Sequence, residues 1–215
     1  MALIYVATSN PGKMREFCEA AQHFSFQLEP LPGLEAMQPP VEDGTTFEQN
    51  ARIKAKYYSR MLPGELVLAE DSGLAVEALN GEPGVYSARY AATLKCGRET
   101  HEKSLDQDNN AALIEQLERL PPGKHAGKYV CVIALARNGR ILETFAGEAA
   151  GELLTQPRGS GGFGYDPLFY FPCLGKTFAE LPLDEKRKYS HRGKAIRNLL
   201  KALSEDIAGT LTTLG

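Results

Sequence analysis

The sequence predicts an α/β protein built around a mixed β-sheet, and three features of the chain support this. The apolar run Leu3–Ala7 is followed by a turn and then by apolar residues at helical spacing over residues 12–22. Residues 128–153 form two long strand-like segments joined by Asn138-Gly139, a strong signal for a β-hairpin. Residues 190–207 carry one apolar face, typical of an amphipathic helix. Because strand–helix units and a hairpin coexist, we expect a sheet with parallel and antiparallel strands.

The first half of the chain continues this alternation of elements. The Pro- and Gly-rich segment 31–46 is predicted to be a loop. A helix is predicted over residues 46–62, and Thr46 has the side chain of a favoured N-cap. The apolar run Leu66–Ala69 predicts a second buried strand, which we expect to end at the two acids that follow it.

The second half is richer in turns. Residues 79–91 form a turn-rich connection, and residues 109–120 predict an amphipathic helix ended by Pro121-Pro122. Residues 156–169 form a glycine-dense loop. The chain shows no internal repeat and no linker, so we expect one domain over residues 1–215.

The composition excludes several classes of protein. With 215 residues, 43% hydrophobic and 24% charged, the chain is typical of globular proteins, and its net charge of −3 argues against general nucleic-acid binding. The cysteines are far apart and contain no C-x-x-C pair, which predicts neither a zinc site nor a disulfide framework: Cys18, Cys96, Cys131 and Cys173. The N-terminus lacks a basic leader, and its apolar run is far below the about 20 residues of a membrane span, so we expect a cytoplasmic protein without membrane contact.

The turn after the first strand is a candidate phosphate site. In Thr8-Ser9-Asn10-Pro11-Gly12-Lys13, a lysine follows a glycine between a strand and a helix. The spacing is not that of a P-loop, because Gly12 is the only glycine and Met14 follows the lysine. If this turn binds phosphate, other residues must complete the site.

Two groups of acids are candidate metal ligands or bases. Glu70 and Asp71 follow the apolar strand, with Ser72-Gly73 predicted as a turn, and carboxylate oxygens suit Mg²⁺. The alternative is a solvated turn, and the segment alone does not decide between the two. One of Glu42 and Asp43 could reach the same metal, although an acidic loop before a helix is the simpler interpretation.

Two lysines lie on the predicted second helix. Lys54 and Lys56 are two positions apart and therefore do not share a face, so that one of them can point inward. The default for either lysine is a solvated side chain.

The glycine-dense loop is a candidate ligand site. Phe163 and Tyr165 lie among glycines that permit close backbone approach, and either ring could stack on a nucleobase, a contact worth ~1–3 kcal/mol per base. The alternative is that both rings fill the core. The density of glycine around two aromatic residues and an acid favours ligand binding.

The start of the last helix is a further candidate anion site. Ser190 is a natural N-cap, which places His191 and Arg192 in the first helical turn, after the basic residues Lys186 and Lys188. The alternative, exposed side chains at a helix start, has equal weight.

Together these segments resemble one family, the inosine triphosphate pyrophosphatases. The resemblance rests on "TSNPGK", "AEDSGL", "PGVYSARYA", "GGFGYDP" and "SHRG", in the order and spacing of the family and over nearly the whole chain. It implies two lobes around a long curved mixed sheet, a substrate cleft between the lobes, and a homodimer. It also implies Mg²⁺-dependent hydrolysis of ITP, dITP and XTP to the monophosphate and pyrophosphate, which cleanses the nucleotide pool.

The resemblance also assigns roles by position. Asp71 matches the catalytic base and a metal ligand, and Glu42 matches the second metal carboxylate. The positions that match substrate contacts are Thr8, Ser9, Asn10, Pro11, Gly12, Lys13, Lys54, Ser72, Phe163, Gly164, Tyr165, Asp166, Lys186, His191 and Arg192. Gln49 departs from the glutamate common at its position in bacterial members, which puts a charge role there in doubt.

Three alternatives stay open at this stage. A Maf-like pyrophosphatase has a related fold, but its motifs differ from "GGFGYDP" and "SHRG". A metal-dependent phosphatase would release orthophosphate, and a regulatory module would bind nucleotide without turnover.

For base selection, donors on Arg192 and on the first helical turn suit a 6-oxo purine and oppose the amino group of adenine.

Overall fold

The computed structural model describes residues 2–22, 24, 26–94 and 105–206 and confirms the α/β class. Cys96 lies outside these residues. Within the described part, seven strands form one sheet in the order β2-β1-β3-β4-β5-β6-β7. They are β1 Ala2–Val6, β2 Phe26–Pro30, β3 Leu66–Val76, β4 Ala126–Arg137, β5 Arg140–Leu153, β6 Phe169–Phe171 and β7 Lys176–Thr177.

Six α-helices accompany the sheet in the described residues. They are α1 Pro11–Ala21, α2 Phe47–Met61, α3 Tyr90–Thr93, α4 Leu105–Glu118, α5 Leu183–Tyr189 and α6 His191–Asp206. Short 3-10 turns at 34–36, 77–79, 84–89, 172–174 and 178–180 link them to the strands. None of the described helices has the length and apolar character needed to cross a membrane.

The sheet is mixed, as predicted. Strand β1 pairs in parallel with β2 and β3, whereas β6 pairs antiparallel with β5 and β7. The predicted hairpin is present, because β4 and β5 are joined only by Asn138 and Gly139, whose φ values of 51° and 76° suit a tight two-residue turn. The tip of this hairpin is tied to the end of α2. The Gly139 amide donates to Ser59 Oγ (2.9 Å), and the Gly64 amide donates to Asn138 Oδ1 (2.7 Å).

The chain divides into two compact units. The first comprises residues up to 71, 131–148 and from 187 onward, and the second comprises 72–130 and 149–186. The core of the first unit is formed by residues of β1, β3, β4, α1 and α6, with Ile4, Leu68, Ile133 and Leu199 fully buried. The core of the second unit is aromatic, with Tyr129, Phe169 and Phe178 in mutual ring contact.

The predicted end of the strand at Glu70 and Asp71 is wrong, because β3 continues to Val76. The predicted turn at Ser72-Gly73 is therefore a strand segment. Gly73 is needed for packing, since a Cβ there would overlap Ser87 Oγ, the group that accepts the amide of Leu74. A charged pair inside a strand looks like a strand end in the sequence. In the structure, nearby cations compensate the negative charges of Glu70 and Asp71.

The backbones of β5 and α6 approach each other at Gly147. A Cβ at this position would lie 2.5 Å from the backbone nitrogen of Ala195 and closer still to the carbonyl of His191. Neither obstacle is a flexible side-chain end, so the helix itself would have to shift. Gly147 therefore sets how closely the start of α6 packs on the sheet.

We predict that Gly147→Ala destabilises the protein by about 1–3 kcal/mol, the usual cost of overpacking. The free energy of unfolding in urea measures the effect. Ala146→Ser is the matched control, because it adds one heavy atom at the neighbouring, exposed position of the same strand. Equal stability of the two variants would show that α6 does not depend on the missing side chain at position 147.

Candidate active site

The turn predicted to bind phosphate is shaped by Asn10. Its side-chain Oδ1 accepts hydrogen bonds from the amides of Gly12 (2.8 Å) and Lys13 (3.1 Å), which makes it the N-cap of α1, and Pro11 occupies the first helical position. The amide of Asn10 in turn donates to Thr8 Oγ1 (3.3 Å). The turn therefore has a defined conformation that presents Lys13 from the first turn of a helix.

Lys13 contacts a buried acid of the neighbouring strand. Its ammonium forms a salt bridge with Glu70 Oε1, and the Glu70 side chain is only 2% exposed. Burial alone would raise the pKa of Glu70, but Lys13, Arg192 and Lys54 together hold that pKa well below its usual range. Glu70 is therefore a permanent negative charge inside the first unit. The prediction that the strand ends at Glu70 gave no reason to expect a buried charge at this position.

Arg192 completes this charge network. Its guanidinium donates to Glu16 Oε2 and lies 3.9 Å from Glu70 Oε2, and the side chain is 2% exposed. Burial alone would lower the pKa of Arg192, but Glu16 and Glu70 raise it above its ordinary value. The thiol of Cys131 also points at Glu70 Oε2 (3.6 Å), and burial raises the pKa of this thiol well above its ordinary value.

The start of α6 has the predicted N-cap, and the side chains of its first turn are not exposed. Ser190 Oγ accepts the amide of Gly193 (3.0 Å), which places His191 and Arg192 in the first turn. Both side chains are buried, so the interpretation that they are solvated at a helix start is wrong. A role for either residue in nucleotide contact stays a prediction.

The two predicted metal carboxylates meet at a single ammonium group. Lys54 Nζ lies 2.6 Å from Glu42 Oε2 and 2.8 Å from Asp71 Oδ1. Lys54 is the lysine that points inward, whereas Lys56 is exposed. Asp43, the other acid of the same loop, is exposed as well.

The shared ammonium shapes the electrostatics of this pair. Burial alone would lower the pKa of Lys54, but Asp71 and Glu70 together with the hydrogen bonds raise it, so the amine stays charged. Burial raises the pKa of Asp71, as do the negative charges of Glu70 and Glu42, while Lys54 opposes the shift. A carboxylate with a raised pKa is a stronger base than a solvated one.

The donor set fits a magnesium ion. Glu42 and Asp71 supply hard carboxylate oxygens that already converge on one positive charge. Among the residues that the structure describes, no group of three or more His, Cys, Asp or Glu side chains could hold a metal. Two carboxylates suit Mg²⁺, which usually keeps several waters and takes its other ligands from substrate phosphate.

The glycine-dense loop forms its own network in the second unit. Lys186 Nζ contacts Asp166 Oδ2 (2.6 Å) and lies 4.9 Å from the centroid of the Phe163 ring, and Lys186 and Asp166 are both buried. The Phe163 amide donates to Asp166 Oδ2 (2.9 Å), and a Cβ at Gly162, whose φ is 73°, would overlap that oxygen. Here the glycine is required by its backbone conformation and by the space available.

The two aromatic residues of this loop differ in what they can do. Tyr165 is 3% exposed and its hydroxyl donates to the carbonyl of Ser87 (2.8 Å), so its ring fills the core, the alternative to stacking. Phe163 is partly exposed and remains the ring of the pair with surface for a ligand. Ser72, predicted to contact substrate, is half-buried in β3.

Several residues of these networks were not singled out from the sequence as site residues. Glu16 lies three positions after Lys13 on α1, a spacing that puts both on one helix face and could have drawn attention to it. Asn50 donates to Asp71 Oδ2 (3.4 Å), and no sequence signal marked it. Gln49 accepts the Thr45 amide with its Oε1 (2.7 Å), a contact that either glutamine or glutamate can make.

Comparison with known proteins gives consistent results. The profile of the Ham1 family matches residues 4–202. Proteins named dITP/XTP pyrophosphatase from Acidobacterium capsulatum and Thermus thermophilus are 50% and 46% identical, over 94% of this chain and 99% and 92% of theirs. The solved structures of Ham1 proteins from Staphylococcus aureus and Coxiella burnetii superpose with TM-scores of 0.78 and 0.80. Each is 36% identical over 95% of this chain and 99% and 100% of theirs.

We predict that Glu70→Gln destabilises the protein by about 3 kcal/mol, because it leaves Lys13 and Arg192 without their shared buried anion. Unfolding in urea measures the loss. Glu48→Gln, which removes the exposed partner of Arg52, is the control and should cost under about 1 kcal/mol. Similar small losses in both variants would mean that the buried charge does not hold these residues together.

Proposed function

Because the chain belongs to the Ham1 family, we propose that it is a dITP/XTP pyrophosphatase, the activity for which its relatives are named. The enzyme hydrolyses non-standard purine nucleoside triphosphates, ITP included, to the monophosphate and pyrophosphate, and in doing so cleanses the nucleotide pool. The observation that carries the proposal is the convergence of Glu42 and Asp71 on Lys54, with Lys13 paired to Glu70, the residue that precedes Asp71 in β3.

Glu42 and Asp71 are the residues that would hold Mg²⁺. The ion, when bound, would supply Lewis-acid polarisation of the phosphate and neutralise part of its charge. Lys13 and Lys54 would offset the negative charge that develops on the departing pyrophosphate, and charged donors of this kind are most effective away from bulk water. The Asn10 cap uses the first amides of α1 and fixes the turn that would present Lys13 to the same phosphates.

Asp71 is proposed as the general base. Burial raises the pKa of Asp71, which makes it a stronger base than a solvated carboxylate. Its two oxygens contact Lys54 and Asn50, which orient the carboxyl group before substrate arrives. Attack at the α-phosphorus, with pyrophosphate as the leaving group, is part of the proposal. It follows from the family resemblance and not from the residues, since attack at the β-phosphorus would give the same two products.

Base recognition is proposed for the loop around Phe163 and for Lys186. The family resemblance separately assigns His191 and Arg192 to substrate contact. The partly exposed Phe163 ring offers a stacking surface, and Lys186 carries hydrogen-bond donors with no acceptor. A 6-oxo purine accepts at the position where adenine donates, so donor-only side chains favour hypoxanthine and xanthine over adenine.

We also propose a cytoplasmic homodimer, and sedimentation velocity of the purified protein tests the dimer in solution.

Turnover assays test this function. The purified protein should hydrolyse dITP, XTP and ITP in the presence of Mg²⁺, lose this turnover in EDTA, and act poorly on ATP. Orthophosphate should appear only when inorganic pyrophosphatase is added. Orthophosphate without that addition would indicate a phosphatase, and nucleotide binding without turnover would indicate a regulatory module.

We predict that Asp71→Asn keeps the fold and lowers kcat for XTP by at least ~10²-fold, the scale of losing a general base. Steady-state kinetics measure the effect, and circular dichroism checks the fold. Asp43→Asn is the matched control, because Asp43 is an exposed acid in the loop that carries Glu42. A folded Asp71→Asn enzyme with near-normal kcat would remove Asp71 from the chemistry.

We predict that Lys13→Ala weakens binding of the triphosphate by ~10-fold or more while changing monophosphate affinity little, because Lys13 is assigned to the phosphate tail. Calorimetric titration of ITP and IMP into the Asp71→Asn background, where substrate persists, gives both affinities. Lys56→Ala, which removes an exposed lysine, should change neither. Equal losses for ITP and IMP would move Lys13 away from the distal phosphates.

A further inference from the structure

We propose that Asn50 is a positioning residue that couples the acidic loop to Asp71 and thereby sets the separation of the two metal carboxylates. The acidic loop is the segment 42–46, which carries Glu42 before α2. The inference rests on the proposed function, since it concerns the metal ligands named there. It adds a residue that touches neither substrate nor metal and acts through those that do.

Asn50 is placed to make this connection. It lies in the first turn of α2 and is 2% exposed. Its Oδ1 accepts the amide of Gly44 in the acidic loop (2.8 Å), and its Nδ2 donates to Asp71 Oδ2 in β3 (3.4 Å). The orientation of the amide is determined by its partners, because the Gly44 N–H can only donate and an ionised carboxylate can only accept.

Asn50 and Lys54 divide the task of holding Asp71. Lys54 contacts Asp71 Oδ1 and Glu42, whereas Asn50 contacts Asp71 Oδ2 and the backbone two residues after Glu42. The two residues are four positions apart and therefore lie on the same face of α2. Lys54 is also assigned to the substrate phosphate in the proposed function. The neutral amide of Asn50 adds a constraint on Asp71 that is independent of the Lys54 ammonium.

The acidic loop is packed against Asn50 as well as bonded to it. A Cβ at Gly44 would lie 2.6 Å from Asn50 Oδ1 and 2.7 Å from the Cβ of Gln49. The next residue, Thr45, donates its amide to Gln49 Oε1 (2.7 Å). Two successive loop amides are thus held by successive side chains of α2. The loop position of Glu42 therefore depends on the start of this helix.

The test is the affinity of the protein for Mn²⁺, a magnesium substitute that electron paramagnetic resonance detects directly, in the absence of nucleotide. Asn50→Leu keeps a similar side-chain volume but removes both hydrogen bonds. We expect its Kd for Mn²⁺ to rise by ~10-fold or more, the usual range for loss of a group that orients metal ligands. This readout does not require turnover, so a loss of the catalytic base cannot imitate it.

A matched control separates positioning from general stability. Asn109 is 3% exposed and makes the same pair of bonds elsewhere, since its Oδ1 accepts the Ala91 amide (2.9 Å) and its Nδ2 donates to the Ala88 carbonyl (3.1 Å). Asn109→Leu should therefore lower the unfolding free energy as Asn50→Leu does. Its Kd for Mn²⁺ should stay that of the wild type.

A second variant reaches the same contact from the loop. Gly44→Ala drives a methyl group against Asn50 Oδ1 and should raise the Kd for Mn²⁺ in the same direction, which decides the matter if Asn50→Leu does not fold. Wild-type affinity in a folded Asn50→Leu or in Gly44→Ala would overturn the inference. A wild-type protein that binds no Mn²⁺ and turns over without divalent metal would instead overturn the metal site of the proposed function.

Discussion

The first unit depends on one electrostatic constraint, the burial of two adjacent carboxylates in the middle of strand β3. Glu70 is neutralised by Lys13 and approached by Arg192, and Asp71 is neutralised by Lys54. Each cation comes from a different helix, so the charges fix α1, α6 and α2 against the same strand. Removing a partner from such a buried group is costly, because it leaves a charge without compensation. The arrangement of the helices and that of the site therefore have one cause.

The sequence was sufficient wherever the signal was local. The caps at Thr46 and Ser190, the Asn138-Gly139 hairpin and the mixed sheet are confirmed, because each depends on residues close together in the chain. The strand end at Glu70 was wrong because its neutralising partners lie 57 and 122 positions away in the sequence, at Lys13 and Arg192. Strands β6 and β7 have three and two residues, too few for a periodic pattern.

The candidate site shows the same division. Motifs and their spacing pointed to Glu42, Asp71, Lys54 and Lys13, which the structure brings together in one network with Glu70. They could not give the partners that orient those groups. Asn50 lies in a helix and Cys131 in a strand, where neither residue type stands out in the sequence. Their partners, Asp71 and Glu70, are distant in the chain. Tyr165 is the opposite case: its motif suggested ligand binding, but its ring is buried in the core.

Helix α2 is fastened at both of its ends. Its first turn grips the acidic loop through Gln49 and Asn50, and its last turn receives the hairpin tip through Ser59. Gln49 and Ser59 are ten positions apart, so these anchors lie about 15 Å apart along the axis of the helix. Movement of α2 along its axis, or rotation about it, would break one of these hydrogen bonds. Lys54 lies between these anchors, so they fix the backbone position from which its ammonium reaches Glu42 and Asp71.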